Sequence, residues 1–486
     1  MNRSIVLAPL TALLLSCVLH ADEAKLNPVQ QDLVQYLDSI EKDMIAVNQD
    51  LWNFAEVGLE EHRSAARLIA VLKKNGFRVK EGVSNMPTAF VAEYGEGKPI
   101  IGILAEYDAL PELSQQVSPQ RAPVLGRSTG HGCGHCALGT AALASALAVK
   151  NAYDKHKLKG TIRLYGTPAE ETVIGKVYMV LDGQFKDLDA CLHWHPSTKN
   201  RVEYGTTKAI ISAKFTFHGL PAHAAGSPDK GRSALDAVEL MNVGVNFMRE
   251  HIKESSRIHY VVTNGGQQPN VVPAEAQVWY YIRANKHEDA EYQFDWIKDI
   301  AEGAAKMTRT KMSVQIDTDC HEIIPNLPLS QVVERNFLLI GAPKFSDADR
   351  KFAAQLQAPL REAFGLDEKK PLNDEVEKLP AKPYPAQGGS TDVGDISWYI
   401  PTSGVNTACF AAGSPGHSWQ NVAAVGSPIG HKGLMVAAKV LALSAVDMLQ
   451  DPKVLEAGKA DLAKRLDKRK YTTRIPEGQK APKSIR

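Results

Sequence analysis

The sequence predicts an α/β protein in which a mixed-sheet domain is interrupted by a smaller β-α-β-β-α-β unit. Three observations carry this prediction. Short strand-like runs recur at residues 100–104, 161–165 and 189–192, the first almost wholly apolar, as expected of a strand buried on both faces. Each such run ends in polar residues, where open α/β sheets place their sites. From residue 207 the pattern changes to alternating strands and amphipathic helices, in the order of a split βαβ fold.

The elements follow in order. Residues 30–57 carry Leu33, Leu37, Ile40, Met44, Val47, Leu51 and Phe54 at helical spacing, and a second helix over 64–74 stops at Asn75-Gly76. Strands are expected at 89–94 and 100–104, the second ending in Glu106-Tyr107-Asp108-Ala109-Leu110-Pro111. A glycine-rich turn and an apolar helix over 137–149 follow, then the 161–165 strand, which ends in Glu170-Glu171. The 189–192 strand ends in His193-Trp194-His195-Pro196. In the inserted unit, strands at 208–218, 257–263, 277–283 and 311–317 alternate with helices at 233–250 and 288–307. The chain then returns to a strand at 405–411, the turn Gly413-Ser-Pro-Gly-His417 and a closing helix at 432–449. The expected organisation is a leader over 1–21, the first domain over 22–206 and 321–458, the insert over 207–320, and a frayed basic tail over 459–486.

A chain of 486 residues is too long for one ordinary core. Its 44% hydrophobic and 23% charged content is that of a soluble globular protein, and a net charge of +1 gives no footing for nucleic acid. Arg3 followed by the apolar run 5–15 reads as an export signal cleaved near Asp22, so a periplasmic protein is expected. Cys17 offers an alternative lipoprotein reading, which would tether the chain to a membrane. Beyond Cys17 five cysteines remain, an odd count that leaves at least one thiol free or bound to something.

The chemistry concentrates at residues 130–139, Gly-His-Gly-Cys-Gly-His-Cys-Ala-Leu-Gly. Thiolates and imidazoles on a glycine turn at a helix start suit a metal. Cys133-Gly-His-Cys136 also reads as a redox dithiol, or as a plain structural turn. The placement of Glu170, Glu171 and the histidines at neighbouring strand ends favours the metal.

Taken together, several stretches resemble the M20 metallopeptidase family in its amidohydrolase branch. They are Cys133-Gly-His135, Glu170-Glu171, Trp194-His195-Pro196, Gly219-Leu-Pro-Ala-His223-Ala-Ala, Pro269-Asn270-Val-Val-Pro273, Ser390-Thr-Asp-Val-Gly-Asp395 and His417-Ser-Trp-Gln420. The resemblance implies a zinc-peptidase-like catalytic domain with an inserted ferredoxin-like lid that dimerises, either with itself or with a related subunit. It implies two divalent cations, zinc or manganese, held by Cys133, His135, Glu171, His195 and His417, with His193 as the rival to His195. It implies Glu170 as general base. Substrate contacts would come from His223 of the neighbouring subunit, Asn270 and Arg283. Glu106 stands where many family members carry a histidine ligand, and Cys136 where they carry Asp or Asn. The expected reaction is hydrolysis of an amide in a small carboxylate-bearing substrate: an N-acyl amino acid, a dipeptide or a p-aminobenzoyl-glutamate-like molecule. The alternatives are a thiol-disulfide oxidoreductase using Cys133 and Cys136, and a binding protein without catalysis on the same fold.

Overall fold

A computed structural model describes residues 25–484 apart from Glu368 and Gln387. The expected leader and Cys17 lie outside the described residues.

The larger sheet has seven strands: β1 (Arg78–Glu81), β2 (Phe90–Glu96), β3 (Ile100–Ala105), β4 (Gly160–Gly166), β5 (Ala190–Ser197), β6 (Arg201–Val202) and, late in the chain, β11 (Thr402–Ala408). Their spatial order is β1-β2-β4-β3-β5-β11-β6. The central strands β4, β3, β5 and β11 are parallel; the pairings β1–β2, β2–β4 and β11–β6 towards the edges are antiparallel. Every residue of β3 and β11 is buried; β3 is accordingly apolar throughout, whereas β11 also buries Thr402, Ser403, Asn406 and Thr407. Strand β1 escapes the sequence reading because three of its four residues are exposed and carry charge.

Helices α1 (Pro28–Phe54), α2 (His62–Lys74), α3 (His135–His156) and α4 (Gly175–Leu181) belong to the first part of this domain. Asn27 caps α1 in a reciprocal box with Gln30, and Pro28 occupies the first turn, where its missing N–H is not needed.

The inserted sheet comprises β7 (Ala209–His218), β8 (Arg257–Asn264), β9 (Glu275–Ala284) and β10 (Lys311–Cys320), antiparallel throughout and ordered β10-β7-β9-β8. Helices α5 (Ala234–Met248) and α6 (His287–Thr308) cover one face. Burial alternates along β9, with Ala276, Val278, Tyr280, Ile282 and Ala284 inward, so the opposite face is left open.

The chain closes with α7 (Leu327–Ile340), α8 (Asp347–Phe364), α9 (Val393–Ser397), α10 (Trp419–Val425), α11 (Pro428–Gln450) and α12 (Pro452–Leu466). Helix α11 is long and apolar enough to cross a membrane, yet it packs in the core against α3, α7, α1 and β11. The segment expected to fray instead forms α12 and a packed extension. Ile475 and Ala481 are buried, Tyr471 Oη donates to Asp395 at 2.7 Å, and its ring stacks on His321 at 4.1 Å. Its basic composition hides these few apolar anchors.

Helix α11 approaches β11 at Gly433, where an added Cβ would overlap Cys409 Sγ and lie 2.6 Å from the Ala408 carbonyl oxygen. Gly433→Ala is therefore expected to destabilise the fold by about 1–3 kcal/mol, read as a lowered melting temperature; an unchanged melt would contradict this packing.

Candidate metal and catalytic site

Strands β3, β4 and β5 point the same way; the chain leaving β3 delivers Glu106 and Asp108, that leaving β4 delivers Glu170 and Glu171, and the last residues of β5 itself carry His195. Helix α3 begins among them at His135. Its N-cap, Gly134, has φ 85°, and a Cβ there would stand 3.0 Å from Phe410 and Pro196, so the turn needs glycine for both backbone and space. His417 enters from the loop after β11, itself at φ 54°, a conformation that non-glycine residues rarely hold without a compensating role.

These side chains converge. The ligating atoms of Cys133, His135 and His195 lie within 4.8 Å of one another, as do those of Cys133, Glu171 and His417. Cys133 belongs to both groups. Its Sγ is 3.3 Å from His195 Nε2, and His417 Nε2 is 3.3 Å from Glu171 Oε2. A third group, Glu106, His135 and Glu170, meets the same distance limit and is wholly buried.

The partners behind these residues fix which atoms face inward. Asp108 accepts from His135 Nδ1 at 2.8 Å through one oxygen and from the Glu171 backbone N–H at 2.9 Å through the other. His135 Nε2 is thereby turned to the cluster. His195 Nδ1 lies 2.7 Å from the Pro196 carbonyl, which fixes the tautomer with a free Nε2. Glu106 Oε2, His135 Nε2 and Glu171 Oε1 are buried with no hydrogen-bond partner. Buried polar atoms rarely stay unpaired, and three of them around one space suit cations.

Electrostatics agree with that fit. Burial, aided by the Glu171 charge, pushes the Cys133 thiol up to about 12, and burial pushes Glu171 up to about 8. Burial and the neighbouring Glu106 charge hold Glu170 well above the usual carboxylate range. So many acids in one dry space need positive charge. Burial would lower His135, but the Asp108 carboxylate raises it well above its ordinary value. Burial and the charges of His135, His195 and Arg283 hold His417 below its ordinary value.

The Glu170–Glu171 turn is held in an unusual shape. Ala169 and Val173, flanking its short 3₁₀ turn, have φ 58° and 51°, the second being costly for a β-branched residue. Buried Glu61 fixes the turn by accepting from the Ala169 N–H at 2.8 Å, and its other oxygen accepts from Thr88. Lys176 lies beneath, fully buried, with Nζ 2.7 Å from Glu106 Oε1 and 2.6 Å from Asp392 Oδ1. Sequence reading did not find Glu61 or Lys176. The one signal for Lys176 is a lone charge inside the apolar run 173–180.

Other expected site residues fall as follows. His193 is buried two residues before His195, with Nδ1 3.6 Å from Glu203, and its ring fills the space left by Gly404. It is not among the converging groups; His195 is. Cys136 is buried in the first turn of α3 outside those groups, and both it and Cys133 are free thiols. Arg283 Nη1 donates to Ser390 Oγ at 2.8 Å. His223 is exposed on an insert loop that pairs with Val271, and the Ala224 N–H donates to the Asn270 carbonyl. These two residues therefore sit together on the insert rather than among the ligating groups.

Known proteins resemble this chain over most of its length. Residues 206–308 match the peptidase dimerisation domain of the M20 family. The chain is 39% identical to one of the two kinds of p-aminobenzoyl-glutamate hydrolase subunit of Escherichia coli K12, over 92% of this chain and 98% of that protein. It is 26% identical to a Mus musculus Xaa-Arg dipeptidase, over 89% and 92% of the two chains. The fold resembles that of a dinuclear metal-binding M20 peptidase from Bacillus subtilis, with a TM-score of 0.54 and 17% identity over 85% of this chain and 99% of that one. The chain belongs to the M20 peptidase family. It is an enzyme, a hydrolase acting in the amidohydrolase manner of these relatives. Family membership sets aside the oxidoreductase reading of Cys133 and Cys136.

Proposed function

We propose that the protein is a two-cation amidohydrolase that cleaves an amide or peptide bond in a small substrate bearing a free carboxylate. The observation that carries this reading is the sharing of Cys133 between two groups of ligating atoms, with unpartnered buried oxygen and nitrogen atoms around them. Cys133, His135 and His195 would hold one cation; Cys133, Glu171 and His417 would hold the other. Thiolate and imidazole donors favour zinc, and the carboxylates also suit manganese. When bound, such ions lower the pKa of a coordinated water and polarise an amide carbonyl.

The chain's own residues do the rest. Glu170 is the general base. Its Oε2 lies 3.8 Å from His135 Nε2, beside the ligands. It takes a proton from the attacking water and passes it to the leaving amine nitrogen. The fixed 3₁₀ turn separates the tasks of the adjacent glutamates: Glu171 belongs to the group with Cys133 and His417, and Glu170 to the group with Glu106 and His135. Arg283, with no carboxylate among its described partners, would receive the substrate's carboxylate. His223 and Asn270 would act from a neighbouring subunit, where an imidazole could steady the developing oxyanion.

A second chain has a surface to occupy. Strand β8 is an unpaired sheet edge, and Leu240, Val243 and Phe247 are exposed at helical spacing on α5, Phe247 at 69%. A second copy or a related subunit would cover this face. Phe247→Asp is expected to shift the protein from dimer to monomer in sedimentation; a wild-type protein that is monomeric at assay concentration would refute the interface.

Glu170→Gln is expected to lower kcat by at least ~10²-fold while metal content stays at the wild-type level. Near-normal turnover by the metal-loaded variant would remove Glu170 as the base. A wild-type protein that binds N-acyl amino acids without cleaving them would favour the binding-protein alternative.

A further inference from the structure

Strand β10 changes character halfway along, and the insert alone does not account for it. Residues 311–315 alternate between exposed and half-buried, as a strand with one covered face does. Ile316, Asp317, Thr318, Asp319 and Cys320 are then all buried, although two are acids and one is a threonine. The pairing with β7 slips at the same point. Ile316 faces Ala213 and Thr318 faces Ser212, so Asp317 is an extra residue, a β-bulge. Bulges free backbone groups from the ladder and re-aim their neighbours.

Two other parts of the chain grip this half-strand. From the catalytic domain, Tyr178 Oη on α4 donates to the Asp317 carbonyl at 3.0 Å. The Thr318 hydroxyl in turn donates to the Val173 carbonyl. Val173 closes the 3₁₀ turn of Glu170 and Glu171, and it is the β-branched residue held at φ 51°. Such a conformation persists only where the surroundings over-determine it, and the Thr318 hydroxyl is the insert's share of that restraint. The second grip comes from the tail beyond α12. The Arg474 N–H donates to Asp319 Oδ2, and the Arg474 guanidinium pairs with Asp295 on α6 at 2.7 Å. Gln479 Nε2 donates to the Ile316 carbonyl and to Tyr178 Oη, each at 2.8 Å. Tail, insert and catalytic turn therefore meet at one bulge.

We infer that the tail and Thr318 form a positioning relay for the general base: the tail sets the bulge of β10, and the bulge, through Thr318, holds the turn that aims Glu170. The inference rests on the amidohydrolase reading above and deepens it. Thr318 and Gln479 are positioning residues; they belong to none of the converging groups and act through the turn. A shift of the insert against the catalytic domain carries the Thr318 hydroxyl away from the Val173 carbonyl and slackens the turn. Small displacements of a reacting group cost large factors in rate, so turnover depends on how the insert is seated. The last residues of the chain, far from the cluster in sequence, thereby bear on catalysis.

The test uses the full-length, metal-loaded protein with p-aminobenzoyl-glutamate, an N-acyl amino acid and a dipeptide, together with hydrogen–deuterium exchange over residues 169–174. There the Val173 N–H donates to the Glu170 carbonyl at 2.7 Å and the Ile174 N–H to the Ala169 carbonyl at 3.1 Å, so exchange reports the turn itself. Thr318→Val keeps the shape and removes the hydroxyl. It is expected to lower kcat about tenfold or more, to leave KM and metal content near wild type, and to speed exchange over 169–174. Thr318→Ser is expected to restore both kcat and exchange. Gln479→Ala is expected to lower kcat by a smaller factor, and to have no further effect in the Thr318→Val background, because both act through one contact. The relay is overturned by wild-type kcat or exchange in Thr318→Val, by a raised KM at unchanged kcat, or by a Thr318→Ser protein as slow as Thr318→Val. Equal effects of Gln479→Ala in both backgrounds, or none in either, overturn it as well. If Thr318→Val does not fold, Gln479→Ala decides alone: lowered kcat with faster exchange over 169–174 supports the relay, and wild-type values overturn it. If the wild type hydrolyses none of the three substrates, the amidohydrolase reading fails by itself. Exchange then decides the hold on the turn: faster exchange over 169–174 in Thr318→Val supports it, and unchanged exchange overturns it.

Discussion

One carboxylate ties the site together. Asp108 accepts from His135 with one oxygen and from the Glu171 backbone with the other. Those residues arrive from different parts of the fold, the first turn of α3 and the turn after β4. A single buried acid thus sets the imidazole's orientation and the position of the glutamate pair. Hydrogen bonds from behind of this kind fix the orientation of side chains whose other polar atoms stay unpaired. The parallel strands make the arrangement available, because their ends lie side by side.

Around this link the protein keeps an unusual density of buried charge. Lys176 is the counterweight the chain itself provides, one positive charge shared between Glu106 and Asp392. Desolvating such groups costs more than pairing usually returns, so their retention argues for a function rather than for stability. The left-handed conformations of Ala169, Val173 and His417 tell the same story in the backbone. Strain is concentrated where Glu170, Glu171 and His417 must be aimed, and the surrounding hydrogen bonds of Glu61 and Thr318 hold it in place.

Much of the frame is legible in the sequence, for identifiable reasons. Strand β3 is buried along its whole length and reads as an unbroken apolar run, and the insert shows clean alternation and helical spacing. Cys133, His135, Glu170, Glu171, His195 and His417 stand out because polar residues at strand ends are conspicuous. The choice between His193 and His195 is harder: they share a strand face, and the structure separates them by their partners, Cys133 for His195 and Glu203 for His193. Glu61 and Lys176 are hidden, since an isolated charge in a sequence looks the same whether it faces water or lies under a site. The extension beyond α12 is hidden as well, because its order depends on contacts of Tyr471 and Ile475 with distant parts of the chain.

The central claim is that one thiolate, Cys133, serves two cations. Cobalt(II) titration of the metal-free protein tests it most directly. The expected result is two equivalents bound per chain with a near-ultraviolet sulfur-to-cobalt charge-transfer band, and loss of that band with weakened binding of both ions in Cys133→Ala. Persistence of the band in Cys133→Ala, or loss of one ion with the other bound as tightly as before, would contradict it.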